Sequence, residues 1–284
     1  MTGLARALDV AYRAHQSVSS AWAERRHARD FDTVEGFVLF VGYPRSGHSL
    51  VGAMLNAHRN AVISHELDAP RWIDRGLTRE QLYARILTRA RWFHLRGDRS
   101  NYRYRVPGEW QGRFDALRVI GDKRGGAVTR RIARDPDFLV RIRALVGVPL
   151  RLIHVVRNPF DNIAAISLWH ELSLDQSVEL YFEHCRTTAS LAELTGVGEV
   201  TTIHHEELVR SPRQTILELC SFVGLAPDDG YVDACARIVF ERPTFTRRRV
   251  AWSALALREV ERRSRSYPFL ASYDFDDDGG PFSR

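Results

Sequence analysis

The stretch FVLFVGYPRSGHSLVGAML, residues 37–55, restricts the fold more than any other part of the chain. Phe37–Val41 is an unbroken apolar run with the length of a strand buried on both faces, as strands of parallel sheets are. A short turn, Gly-Tyr-Pro-Arg-Ser-Gly, follows, and a helix is expected over Ser49–His58. A strand that runs through a tight turn into a helix puts the amides of the first helical turn, with their partial positive charge, at the strand end. Such a terminus attracts anions. Gly47 allows a sharp turn and close approach, Ser46 and Ser49 bring hydroxyls, and Arg45 brings a planar fork suited to phosphate or sulfate. A plain connecting loop is the bland alternative.

The same alternation continues along the chain. Ala61–Ser64 reads as a second strand, LRVIGDK as a third that runs into a glycine turn at Gly125-Gly126, PLRLIHVV as a fourth, and EVTTIHHEEL as a fifth carrying His204 and His205, both read as structural. Helices are expected over Thr78–Phe93, over FDNIAAISLWH, over Gln176–Leu194, and over PRQTILELCSFVGL with Ser211 as its cap and Pro212 at its first position. Alternating strands and helices imply an α/β domain with a mostly parallel central sheet and helices on both faces. Residues 31–273 form the expected domain. Residues 1–30 read as an amphipathic helix that docks on it, with a second subunit or an anionic surface as alternative docking partners, so a homodimer stays open. Residues 274–284 read as an acidic, mobile tail.

Charge is unevenly placed. Residues 71–118 hold 12 arginines against five acids, whereas the whole chain carries only +6. This basic segment, rich in tryptophan and tyrosine, suggests an anionic partner; a solvated helical face is the alternative. All but one of the 41 basic residues are arginine. Lys123 therefore marks a place where a compact, rotatable ammonium serves and a guanidinium does not. No apolar run approaches a membrane span, and no signal-peptide pattern opens the chain. Cys185, Cys220 and Cys235 are odd in number and lack metal-ligand spacing, which fits ordinary burial in a reducing compartment; a cytoplasmic location and no metal are expected.

In open parallel sheets ligands sit beyond the carboxyl ends of the strands. Three strands deliver cations there: Arg45 after the first, Lys123-Arg124 after the third, and Arg157 after the fourth. A ligand with anionic groups at two positions fits. A nucleoside triphosphate would need a longer glycine-rich loop ending in Gly-Lys-Ser/Thr, and no Gly-Lys pair occurs, which argues against an ATP-dependent kinase. A non-catalytic module that binds nucleic acid or an anionic surface through residues 71–118 remains a second reading, with nucleic acid disfavoured.

YPRSGHSLVGAMLNAH is similar to the 5′-phosphosulfate loop of sulfotransferases that use 3′-phosphoadenosine-5′-phosphosulfate (PAPS), and looks closest to the Pro-Arg-Ser-Gly form of the tyrosine- and carbohydrate-type enzymes. HVVRNPFDNIAAIS resembles the 3′-phosphate motif of the same superfamily, and VTTIHHEELVRSPRQTILELCSFVGL its following strand and helix. The pieces stand in the family's order over roughly residues 37–225. The resemblance implies a P-loop-like three-layer α/β fold, PAPS as donor, and 3′-phosphoadenosine-5′-phosphate (PAP) as product. It implies that Arg45 contacts the transferring sulfonate, that Ser46, Gly47, His48, Ser49 and Leu50 form the cradle, that Lys123 faces the sulfonate, and that Arg157 reads the 3′-phosphate. His48 replaces the usual threonine. Position 165 is alanine where the family places a phosphate-binding serine, and Ser167 lies too far around the helix to replace it readily. The Arg247-Arg248-Arg249 run resembles the family's late basic segment and is the candidate to supply the lost contact, against a solvated turn as the alternative.

Transfer needs a base. Glu66, in SHELD, stands 21 residues after Arg45, the spacing of the glutamate base in the tyrosine-sulfating branch, with His65 as the rival and a loop carboxylate as the bland reading. The expected acceptor is a hydroxyl of a glycan, a lipid or a small natural product, bound at the aromatic, arginine-rich mouth formed by residues 71–118.

Overall fold

The computed structural model describes residues 19–96 and 104–277. Most of the helix read over residues 1–30, part of the basic segment, and the end of the acidic tail lie outside these residues. Five strands, β1 (Gly36–Val41), β2 (Ala61–His65), β3 (Val119–Lys123), β4 (Leu150–Val156) and β5 (Val200–His204), form one parallel sheet in the order β2-β3-β1-β4-β5. After β1 the chain builds β2 and β3 on one side, then crosses to β4 and β5 on the other. The connections therefore part at the carboxyl end of β1, the place where such sheets open a ligand crevice.

All six residues of β1 are buried, as the apolar run implied. Alternation then divides them between two cores. Phe37, Leu39 and Val41 join Ile120, Leu150 and Leu152 on one face. Val38 and Phe40 join Ile63, Val119, Ile153 and Val155 on the other. Each such side chain contributes roughly 1.5–3 kcal/mol by leaving water. The second face is covered by α1 (His48–Ala57), the helix that the turn feeds. The first is covered by α3 (Arg79–Arg96), α4 (Gly125–Arg134) and α5 (Phe138–Val146), and a short helix, α2 (Ala69–Ile73), precedes α3. A third cluster joins Tyr43 and Val156 to α6 (Pro159–His170) and α7 (Leu174–Ala189). Then come α8 (His205–Arg210), α9 (Pro212–Val223), α10 (Asp229–Arg237) and α11 (Ala254–Ser264). Among the described residues no helix is long and apolar enough to cross a membrane, and all three cysteines are buried thiols.

The structure departs from the sequence reading in four places. Gly125 and Gly126 open α4 instead of making a turn. A Cβ on Gly125 would come within 2.4 Å of the His48 ring, so the first glycine serves close approach to α1. His205 leaves the strand and begins α8. Ser211 makes no side-chain capping bond, although Pro212 does open α9. The start of the acidic tail is tied down: Asn158 donates to the Asp274 carbonyl at 2.9 Å, and Phe275 packs edge-on to Phe160.

Candidate active site

A cleft of about 730 Å³ opens beyond the carboxyl ends of β1, β3 and β4. Among the described residues, five cationic side chains line it, Arg45, Lys123, Arg124, Arg130 and Arg157, against a single carboxylate, that of Glu66. The structure thus gathers the three groups of cations that the sequence placed after three different strands.

The turn after β1 bends through three residues with positive φ, Gly42 at 115°, Arg45 at 71° and Gly47 at 108°. The non-glycine residue costs on the order of 1–3 kcal/mol, and strain of this kind collects at functional sites. All four non-glycine residues with positive φ among the described residues, Arg45, Glu66, Asp68 and Glu171, belong to segments around the cleft. The Arg45 guanidinium lies over the half-exposed Trp169 ring, 4.2 Å from its centroid. The Ser46 hydroxyl turns back to the Tyr43 carbonyl at 3.3 Å, and the Leu50 amide is used by Gly47 O within the turn. His48 also turns inward. Its Nε2 meets the Val41 carbonyl at 3.0 Å, and burial, helped by the nearby Lys123 charge, lowers its pKa to about 3. Its backbone, not its imidazole, remains available to the cradle.

Lys123 ends β3 almost fully buried, with only its tip reaching the cleft. Its Nζ donates to Glu66 Oε1 at 2.6 Å and to Ser49 Oγ at 3.0 Å. Gly52 makes room for its stem: a Cβ there would sit 2.8 Å from Lys123 Cγ. Glu66 also meets Arg124 at 3.4 Å. Burial pushes the Glu66 carboxyl up, but the Lys123 charge and hydrogen bond outweigh it, and the net direction is below the ordinary carboxylate range. His65 also lines the cleft, and its ring is stacked on Phe93 at 4.0 Å. It borders a narrow recess of about 30 Å³ on the other side of Lys123, together with Gly52, Phe93, Tyr104 and Gln111.

Arg157 crosses from β4 to the late part of the chain. It donates to the Thr244 carbonyl and, at 2.9 Å, to Thr246 Oγ1. Arg247 and Arg248, expected to contact the donor, do not line the cleft. The Arg247 guanidinium is buried against the Asp161 carboxylate and the Asp277 carbonyl, and Arg248 is exposed beside Phe245. The Ser167 hydroxyl caps the end of α6 by donating to the Leu172 carbonyl at 2.8 Å.

Two residues went unrecognised in the sequence. His205 lines the cleft against Gly47, where a Cβ would come within 2.8 Å of its Nδ1, and that nitrogen has no hydrogen-bond partner among the described residues. Burial and the Arg157 charge lower its pKa to about 4, so it is a neutral imidazole with an unused polar atom at the phosphate loop. Only its adjacency to the strand end hinted at this. Asp122, buried behind Glu66, carried no signal beyond following an apolar strand.

A profile described as Sulfotransferase family matches residues 38–229. The chain is a member of the sulfotransferase family. No curated protein matches it in sequence. Among solved structures, it resembles the sulfotransferase domain from the Synechococcus PCC 7002 olefin synthase at 14% identity, over 82% of this chain and 94% of that one, with a TM-score of 0.50. Sulfotransferase STF9 from Mycobacterium avium has 10% identity, over 87% and 81%, also with a TM-score of 0.50. At these identities the likeness is one of fold. This sulfotransferase thus has the P-loop-like α/β architecture, and its cleft lies at the strand ends where that architecture binds ligands. Its lining fits a doubly anionic donor. The α1 amides, Ser49, Arg45 and Lys123 line it around the turn after β1, the His205 Nδ1 without a hydrogen-bond partner faces Gly47 of the same turn, Arg157 reaches the Arg45 carbonyl, and the one carboxylate among the described lining residues is already paired with two cations.

Proposed function

We propose that this sulfotransferase moves a sulfonate group from PAPS to a hydroxyl of an acceptor, a glycan, a glycolipid or a small natural product, and releases PAP. The observation that carries the reading is the Ser49–Lys123–Glu66 chain, in which an ammonium and a carboxylate meet at the N-terminus of α1. PAPS supplies the activated sulfonate; the rest is done by the protein. The α1 amides and Ser49 hold the 5′ end, and Arg157 holds the 3′-phosphate. Arg45 and Lys123 offset the negative charge that grows on the sulfonate oxygens during transfer, the role of preorganised cations. Glu66 accepts the acceptor's hydroxyl proton on Oε1 or Oε2, and it is suited to do so because Lys123 keeps it ionised. Lys123, hydrogen-bonded to Glu66, stands beside the base, so cation and base act together on the reacting group. The mouth formed by the segment between β2 and β3 receives the acceptor.

Thermal unfolding with nucleotides tests the donor. PAP at ~100 times its dissociation constant stabilises the fold by about 2.7 kcal/mol. ATP, which has no 3′-phosphate for Arg157, gives much less. Equal stabilisation by ATP and PAP would refute the assignment.

A further inference from the structure

Glu66 owes its place to a segment that its backbone does not favour. Glu66 (φ 58°) and Asp68 (φ 67°) are both left-handed, a region L-residues seldom hold. The residue after each of them donates its amide to one carboxylate. Leu67 N–H meets Asp122 Oδ1 at 3.0 Å, and Ala69 N–H meets Asp122 Oδ2 at 2.9 Å. The Ser64 hydroxyl adds a third bond to Oδ1 at 2.7 Å. Asp122 is itself fully buried and lines neither the cleft nor the recess. It lies opposite Ser64 in the β2–β3 register, one residue before Lys123. The Glu66 amide in turn donates to the Lys123 carbonyl at 3.2 Å.

We infer that Asp122 is a positioning residue whose carboxylate, by holding the Leu67 and Ala69 amides, sets the double left-handed turn that aims Glu66 at Lys123. The inference rests on the reading of Glu66 and Lys123 as the working pair. An ionised carboxylate has acceptors for all three donors; an amide side chain has one acceptor oxygen and turns an NH₂ group toward a donor. Asp122→Asn keeps the volume, leaves one loop amide without an acceptor, and releases the turn. The competing account is that Asp122 supports the sheet alone and has no hold on Glu66.

Lys123 is the only lysine, so protein grown with [15N]lysine gives one side-chain ammonium signal that reports on the Glu66 contact. Glu66→Gln fixes where that signal lies without the carboxylate. Asp122→Asn is expected to move it most of the way to that position, and Ser64→Ala part of the way in the same direction. In a Glu66→Gln background, Asp122→Asn is expected to move it little further. A wild-type signal in folded Asp122→Asn overturns the inference. So does an equal displacement in the Glu66→Gln background, which would show that Asp122 reaches its neighbour by another route. If Asp122→Asn fails to fold, Ser64→Ala carries the same pair of outcomes. PAP titration of the same samples separates the two proposals. Asp122→Asn is expected to bind PAP within about threefold of wild type, because PAP lacks the sulfonate that Lys123 faces and the groups proposed to hold PAP, the α1 amides and Arg157, lie on other elements. Wild-type protein that ignores PAP while its Lys123 signal still follows Asp122 would count against the donor and for the positioning role.

Discussion

Gly52→Ala is expected to leave the fold intact and cripple transfer. Gly52 sits in the middle of α1, where alanine gains roughly 1 kcal/mol of helix propensity over glycine. The added methyl would lie 2.8 Å from Lys123 Cγ and 3.1 Å from its Cβ. Carbon atoms rest at about 3.5–4.0 Å, so the lysine stem must retreat by roughly 0.7 Å or more. Overpacking of this kind costs about 1–3 kcal/mol. The net cost is therefore between about zero and 2 kcal/mol, and the protein should stay folded with a modestly lowered melting temperature. The lysine, however, cannot retreat and keep both Glu66 at 2.6 Å and Ser49 at 3.0 Å. A misplacement near 1 Å in a reacting constellation costs on the order of 10²-fold in rate. The assay is release of PAP from PAPS with an acceptor found by screening hydroxylated compounds, beside thermal unfolding and PAP affinity. A folded Gly52→Ala protein that turns over at the wild-type rate would refute the reasoning, because the lysine would then have shifted without consequence.

Three further outcomes are expected. Glu66→Gln should lower turnover by ~10²–10⁴ with little change in PAP affinity; because the Glu66 carboxyl is held below its ordinary range by Lys123, wild-type activity should persist as pH falls toward the usual carboxylate range, and a rate lost well above that range would count against Glu66 as the base. His48 and His154 are buried neutral, each with a pKa lowered from 6.5 to about 3, chiefly by burial. Their unfolded forms bind protons that the fold does not, so stability falls as pH drops below 6.5; at pH 5 the loss is about 2 kcal/mol for each, and denaturant melts of equal midpoint at pH 7 and pH 5 would contradict it. Asp161→Ala leaves the Arg247 guanidinium buried without its carboxylate, and should destabilise the domain by roughly 3–5 kcal/mol in chemical denaturation, whereas a neutral result would show that the pair is dispensable.

The strands and the phosphate turn were legible because they depend on local pattern. Phe37–Val41 can only be buried on both faces, and Gly47 and Arg45 stand where that strand must become a helix. Lys123 stood out by composition alone. What could not be read are pairings between distant segments. Arg247 looked like a donor contact because a basic run looks the same whether or not an acid 86 residues away neutralises one member. Asp122 was hidden for a related reason: its partners, Ser64, Leu67 and Ala69, are 58 to 53 residues earlier, and two of them use only their amides, which leave no mark in a sequence. His205 was misplaced because the end of β5 and the start of α8 share one polar stretch, and only packing against Gly47 decides where the strand stops.

The order of the strands has a bearing on how such a protein diversifies. β2 and β3 are neighbours in the sheet, with His65 opposite Lys123. Residues 66–118, which include α2 and α3, are one continuous excursion that starts at Glu66 and returns to β3. In the proposed reading the donor contacts come from the turn after β1, α1, Lys123 at the end of β3 and Arg157 after β4, and none lies within that excursion. Changes to the parts of this stretch outside the α3 face that covers the sheet can therefore remodel the proposed acceptor side while both ends stay pinned by the same pair of strands. A lineage that keeps one donor can in this way explore many acceptors, and a grafted excursion from a relative is a rational unit for altering acceptor choice.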